Sequence, residues 1–116
     1  MSETLRVYHN ARCSKSRSAC QLLEERGLAF DVIEYLKTPP SRDELAAVLA
    51  KLGMTAEALV RKGEEIYKAE FKERSLTEAE WLDALVAHPV LIERPIVVCG
   101  ERAVIGRPPE KVLELL

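Results

Sequence analysis

Hydrophobic positions along the chain change period several times, and each change marks an element. Leu5-Arg6-Val7-Tyr8 alternates as a strand does, and the polar His9-Asn10-Ala11-Arg12 that follows suits a loop. From Ser16 onward Ala19, Cys20, Leu22 and Leu23 recur at helical spacing, until Gly27 stands where a helix C-terminal glycine belongs. Phe30 to Tyr35 predicts a second strand, closed by Thr38-Pro39-Pro40 because proline continues neither ladder nor helix. A strand, helix and strand within about 30 residues imply parallel strands joined by a right-handed crossover.

The middle of the chain carries only the helical period. Ser41-Arg42-Asp43-Glu44 is a capping box, after which Leu45, Val48, Leu49 and Leu52 mark one apolar face before Gly53. A shorter helix is expected from Thr55, carrying Ala58 and Leu59 and broken by Lys62-Gly63-Glu64-Glu65. Residues 66–75 have helical tendency and dense charge, and the charged stretch from Lys68 to Arg74 reads as a solvated helical face. A second capping box, Thr77-Glu78-Ala79-Glu80, opens a helix with Trp81, Leu82, Leu85 and Val86 as its face, ending before Pro89, with His88 serving the last carbonyls. Period two then returns. Residues 95–99 and 102–105 form a hairpin about Gly100-Glu101, and Gly106-Arg107-Pro108-Pro109 leads into a helix over residues 110–116. The order βαβ, helical insert (about residues 41–88), ββα is the thioredoxin plan: an α/β fold with a mixed four-stranded sheet flanked by helices. The whole chain, residues 1–116, reads as a single such domain.

Charge narrows the partners. The chain has 116 residues with 17 basic against 19 acidic side chains, so it lacks the broad positive field of a protein that grips nucleic acid or an anionic membrane. No run approaches the roughly 18 apolar residues of a membrane span, and Met1-Ser2-Glu3-Thr4-Leu5-Arg6 has no apolar signal core. A cytoplasmic location is expected. Three cysteines, Cys13, Cys20 and Cys99, do not make the even framework of a small secreted domain, so reduced thiols are expected.

Cys13 falls at or just before the start of the first helix. Unpaired N–H groups and the helix dipole there favour negative charge, which predicts a lowered thiol pKa, and Arg12, Lys15 and Arg17 add positive charge. The same place can cradle an oxyanion. Cys13-Ser14-Lys15-Ser16 is not Cys-x-x-Cys, so the local resolving thiol of a dithiol oxidoreductase is missing, and Ala19 stands where a Cys-x5-Arg phosphatase loop needs arginine. Cys20 lies about 10 Å further along the helix axis, beyond the roughly 7 Å Cα limit for a disulfide, and reads as core. Cys99 ends a strand and reads as structural. His9 and Cys13 have no further paired ligands, so no metal site is expected. Taken singly, Arg61, Arg94 and Arg107 read as solvated surface. In the thioredoxin plan, however, the loop before the third strand faces the nucleophile and usually carries a cis-proline. Pro95 is the candidate, Arg94 would then point into an anion pocket, and the turn holding Arg107 could reach it. His9 suits either a pocket-orienting role or a plain loop role.

Over nearly its whole length the chain resembles the glutaredoxin-linked arsenate reductase family. Residues 8–17, Tyr-His-Asn-Ala-Arg-Cys-Ser-Lys-Ser-Arg, resemble its catalytic loop; the run from Tyr35 to Leu45, Leu59-Val60-Arg61-Lys62, the run from His88 to Val98, and Gly106-Arg107-Pro108 resemble its other signatures. The loop differs where many members have Pro at Ala11 and Gly-Thr at Ser14-Lys15, and so resembles a less characterised branch with Cys-Ser-Lys-Ser. The resemblance implies that Cys13 attacks arsenate to form a covalent adduct, that Arg61, Arg94 and Arg107 bind the oxyanion, and that His9 helps set the thiolate, with Ser16, Arg17 and Pro95 in support. It also implies glutathione as co-substrate, glutaredoxin as partner and no bound cofactor, which accounts for the missing resolving cysteine. Two other readings belong to the same fold. One is a regulator that binds RNA polymerase and resembles this chain around Arg94-Pro95-Ile96, although Ser16 removes its Cys-x-x-Cys switch. The other is a monothiol oxidoreductase that uses glutathione on another substrate.

Overall fold

In a computed structural model, which describes residues 5–107 and 109–115, the strands are β1 (Leu5–Tyr8), β2 (Phe30–Ile33), β3 (Ile96–Cys99) and β4 (Arg102–Ile105). The α-helices are α1 (Ser14–Glu25), α2 (Arg42–Leu52), α3 (Ala56–Leu59) and α4 (Glu78–Ala87). The residues form two compact units, Met1–Thr38 with Arg94–Leu116, and Pro39–Glu93. Met1 to Thr4 of the segment read for a signal core, Pro108 of the Gly-Arg-Pro turn and the terminal Leu116 lie outside the described residues.

The first unit is a mixed four-stranded sheet in the order β2-β1-β3-β4, the arrangement expected of the thioredoxin plan. β1 pairs parallel with β2, Leu5 opposite Phe30, and antiparallel with β3, Tyr8 opposite Ile96; β3 pairs antiparallel with β4. Strand alternation sends Leu5, Val7 and Val97 to one face. There they join Ala19 and Leu23 of α1 and Val112 and Leu115 of the C-terminal segment in a core, in which Val7, Ala19, Leu23, Val97 and Val112 have no exposure at all. Tyr8, Ile96 and Val98, on the opposite face, are buried as well.

Local chemistry sets the ends of α1. Gly27 takes a left-handed φ of 70°, and the N–H groups of Gly27 and Leu28 turn back to the Glu24 and Leu23 carbonyls. The helix begins at Ser14, directly after Cys13 and two residues ahead of Ser16, from which the apolar period runs. The last segment, Pro109–Leu115, is a 3-10 helix rather than an α-helix. Its three residues per turn bring Val112 and Leu115 onto the same core-facing line, and Arg102 Nη2 donates to the Leu115 carbonyl at 2.9 Å.

In the second unit, Ser41 Oγ accepts from the Glu44 N–H at 3.1 Å to open α2, and Gly53 closes it at φ 68°. Thr77 and Glu80 form a reciprocal capping box at α4. The Glu78 carboxylate accepts from the Ala56 N–H at 3.0 Å, and Arg42 Nε meets Asp83 at 2.7 Å, joining α3 and α2 to α4. The charged stretch from Lys68 to Arg74 is exposed apart from Phe71. It overlaps a π-helical turn, Tyr67–Phe71, whose Phe71 is buried beside Trp81 at a centroid distance of 5.9 Å. His88 donates its backbone N–H to the Ala84 carbonyl, while its ring packs edge-on against Phe71. Among the described residues no helix is long and apolar enough to cross a membrane.

Leu23→Ala should lower the free energy of unfolding by about 2–5 kcal/mol, since it opens a cavity between α1 and the sheet. Leu36→Ala, at 44% exposure, should stay within about 0.5 kcal/mol of wild type. Urea titrations of both variants check the contrast.

Candidate active site

The sheet register brings four segments to one end of the first unit. β1 finishes at Tyr8, which lies opposite Ile33, the last residue of β2, and Ile96, the first of β3; Ile96 in turn lies opposite Ile105, the last of β4. The loop carrying Cys13, Glu34, the Arg94–Pro95 peptide and the Gly106-Arg107 turn therefore all leave from this end. Of the residues singled out in the sequence, Cys13, His9, Ser16, Arg17, Arg94, Pro95 and Arg107 all belong to this unit, whereas Arg61 belongs to the helical one.

Cys13 is held by its backbone. The His9 N–H donates to the Ile33 carbonyl at 2.8 Å, which keeps the chain against the sheet as it leaves β1. Asn10 then folds the loop: its side-chain oxygen accepts from the Arg12 N–H at 3.0 Å and its carbonyl from the Cys13 N–H at 2.9 Å. Ser16, fully buried in the first turn of α1, accepts from the Asn10 N–H at 3.4 Å. Arg17 Nη1 donates to the Ala11 carbonyl at 2.9 Å, so this arginine clamps the loop besides adding charge to it. Cys13 is the N-cap of α1, with φ −94° and ψ 121°, and its side chain makes no capping hydrogen bond. The half-buried thiol is thus not spent on the helix, and no acidic side chain occupies the first turn. An anion at Sγ would meet the positive end of a 12-residue helix.

His9 sits between α1 and the end of β2. Its Nδ1 is 3.7 Å from Cys20 Sγ. Burial holds the imidazole below its ordinary range; the Glu34 carboxylate opposes this and the Arg17 guanidinium adds to it. Burial pushes the Cys20 thiol up, with Glu24 acting in the same direction. Cys20 and Cys99 are half-buried against the core, and Cys13, Cys20 and Cys99 form no disulfide with one another.

Arg94 is half-buried and precedes a cis peptide to Pro95, the proline that the sequence proposes for this place. Arg107 is exposed. The residue that sequence reasoning passed over is Gly106. Its N–H donates to the Pro95 carbonyl at 2.8 Å, and a Cβ there would lie 3.0 Å from the Pro95 ring, 3.3 Å from Val112 and 3.5 Å from Ala19. A glycine next to an arginine and two prolines is a signal of close backbone approach. It locks the Arg107 turn onto the Arg94–Pro95 segment.

In its own unit Arg61 is anchored by its N–H to the Leu91 carbonyl at 2.7 Å. Its guanidinium pairs with Glu64 at 2.6 Å and with Glu93 at 3.5 Å. That unit also holds a cavity of about 300 Å³ lined in part by Phe71, Leu76, Ala84 and His88, which includes none of the candidate catalytic or anion-binding residues. Among the described residues no three His, Cys, Asp or Glu side chains gather as metal ligands.

The sequence and the fold are similar to those of known proteins. The sequence profile of the ArsC family matches residues 8–115. The chain is 45% identical over 118 residues to the Escherichia coli K12 protein called "Uncharacterized protein YfgD", covering 100% of this chain and 99% of that one. It is 42% identical over 114 residues to an arsenate reductase of Neisseria meningitidis, covering 97% of each. The structure of an arsenate reductase from Vibrio cholerae superposes with a TM-score of 0.93 at 45% identity, covering 100% of both chains.

Gly106→Ala should destabilise the protein by about 1–2 kcal/mol in urea titrations, because the Pro95 ring and the core residues Val112 and Ala19 leave no room for a methyl group. His9 carries a pH dependence of known sign. Its folded-state pKa lies below the unfolded value of 6.5, so the stability it contributes is present above that value and is lost as the pH falls through the folded one. Thermal midpoints measured from pH 7.5 to 5 should therefore fall less steeply in His9→Gln than in wild type.

Proposed function

The chain belongs to the ArsC family, and from that premise we propose that it reduces arsenate to arsenite with Cys13 as the nucleophile. The observation that carries this reading is the position of Cys13. It is the N-cap of α1 with a side chain that does not cap, at the sheet end from which the Arg94 and Arg107 segments also leave. Relatives named arsenate reductase, at 40–43% identity over 95–97% of this chain, support the choice of oxyanion.

In the proposed reaction the Cys13 thiolate attacks pentavalent arsenic, an S–As bond forms, and one arsenic oxygen leaves as water. Arg94 and Arg107 stabilise the charge that develops on the remaining oxygens. Arg61 enters on the match of its motif alone, as a third candidate anion ligand. His9 helps set the thiolate, and Ser16, Arg17 and Pro95 hold the loops that position the reacting groups. A glutathione thiol then displaces a second oxygen from arsenic. When a glutaredoxin thiol attacks the glutathione sulfur, two electrons pass to arsenic, and the two external thiols leave as a mixed disulfide. Water releases arsenite and restores the Cys13 thiol.

This division of labour suits a chain with Ser16 in place of a second Cys-x-x-Cys thiol. The reducing equivalents arrive from outside, no bound cofactor is required, and the cytoplasm, where glutathione is reduced, is the compartment we propose.

Arsenate-dependent NADPH oxidation, coupled through glutathione reductase, glutathione and glutaredoxin, tests the proposal. Wild type should turn over. Cys13→Ser should fall to the uncatalysed background, and Arg94→Ala should lose about 10²–10³-fold in kcat. Turnover that survives Cys13→Ser removes the nucleophile, and a wild type that is folded yet inactive removes arsenate as substrate.

A further inference from the structure

Cys20 has no part in the reaction above, yet it is the side chain in contact with His9. We propose that Cys20 is a positioning residue: its S–H donates to His9 Nδ1 across 3.7 Å and holds the imidazole in the tautomer that carries its proton on Nε2. The proposal deepens the reading under which His9 serves the Cys13 site, and rests on it.

The two groups leave little freedom in the direction of this bond. A neutral imidazole has one donor and one acceptor nitrogen, and the hydrogen bond made by one decides what the other can do. A thiol that burial keeps protonated has a proton to give, and an imidazole nitrogen is a better acceptor than a thiol sulfur. The charged and titratable groups around the pair come from two elements. Glu34 follows β2, while Arg17, Cys20 and Glu24 lie on α1; Glu34 favours the imidazolium and Arg17 opposes it. An S–H bond to Nδ1 forms only with neutral imidazole, so it acts in the same direction as burial.

A specific consequence follows for the chemistry. With Nδ1 occupied, His9 presents a donor and not an acceptor. Any anion it meets, thiolate or substrate oxygen, it meets through Nε2–H. His9 therefore does not act as a base that removes the Cys13 proton, and the thiolate depends on the helix N-terminus and the neighbouring arginines.

Long-range 1H–15N spectra of the wild-type protein at pH 7.5 test this directly, with the His88 resonances assigned by their loss in His88→Gln. His9 should show a protonated Nε2 and an unprotonated Nδ1. In Cys20→Ala the His9 titration midpoint should move to higher pH and the single tautomer should be lost, while Cys20→Ser, which keeps a donor, should retain the wild-type tautomer. A proton on Nδ1 in wild type, or the same tautomer and midpoint in Cys20→Ala, overturns the proposal. Should Cys20→Ala fail to fold, the wild-type tautomer and Cys20→Ser still decide. The spectra need no arsenate, so the tautomer is read independently of turnover: the expected tautomer in an inactive wild type removes the arsenate reading and keeps the Cys20 contact.

Discussion

Burial of Ala19 and Leu23 against Val7 and Val97 decides where the first helix begins, and the chemistry of the molecule depends on that placement. With no exposure on any of these four side chains, α1 cannot slide along the sheet without opening a cavity, at a cost of several kcal/mol. Its N-terminus is consequently held at the end of β1, and Cys13, the residue at that junction, inherits a fixed position from packing in which it takes little part. A rigid apolar layer delivers a polar helix end, and an anion can use the N–H groups that the helix itself leaves unbonded.

The same layer reaches the opposite strands through a residue with no side chain. Gly106 fits between Pro95, Val112 and Ala19, so the turn bearing Arg107, the loop bearing Arg94 and the helix behind Cys13 share one contact. Arginine side chains are long and flexible, and ordering them costs conformational entropy. Anchoring their backbones at Gly106 and Pro95 lowers that cost before any anion arrives. The loop polar groups work similarly: Asn10, Ser16 and Arg17 bond to backbone atoms between Asn10 and Arg12, leaving the Cys13 thiol uncommitted to the cap.

Much of the fold was legible from the chain. The alternation at Leu5–Tyr8, the capping box at Thr77 and the left-handed glycines at Gly27 and Gly53 are local signals, and the elements appear where those signals put them. The misreadings have a common cause. The 3-10 form of Pro109–Leu115 and the π turn at Tyr67–Phe71 have no distinctive period, because each answers to a packing requirement elsewhere: Val112 and Leu115 to align on the core, an aromatic ring to bury beside Trp81.

For the site, residue types and their order along the chain were enough to nominate Cys13 at a helix start, to single out Arg94 beside Pro95, and to show that Cys13 has no Cys-x-x-Cys partner, since these depend on spacing alone. Sequence separation says nothing about which distant atoms touch. Only the folded chain brings Cys20 to His9 across eleven positions, closes Gly106 onto Pro95, turns Arg17 back to the Ala11 carbonyl, and commits Arg61 to Glu64 and Glu93 within its own unit. Periodicity and caps are written in neighbouring residues and can be read from them. Partnerships between side chains are set by how sheet and helices pack, and that is decided by tertiary structure.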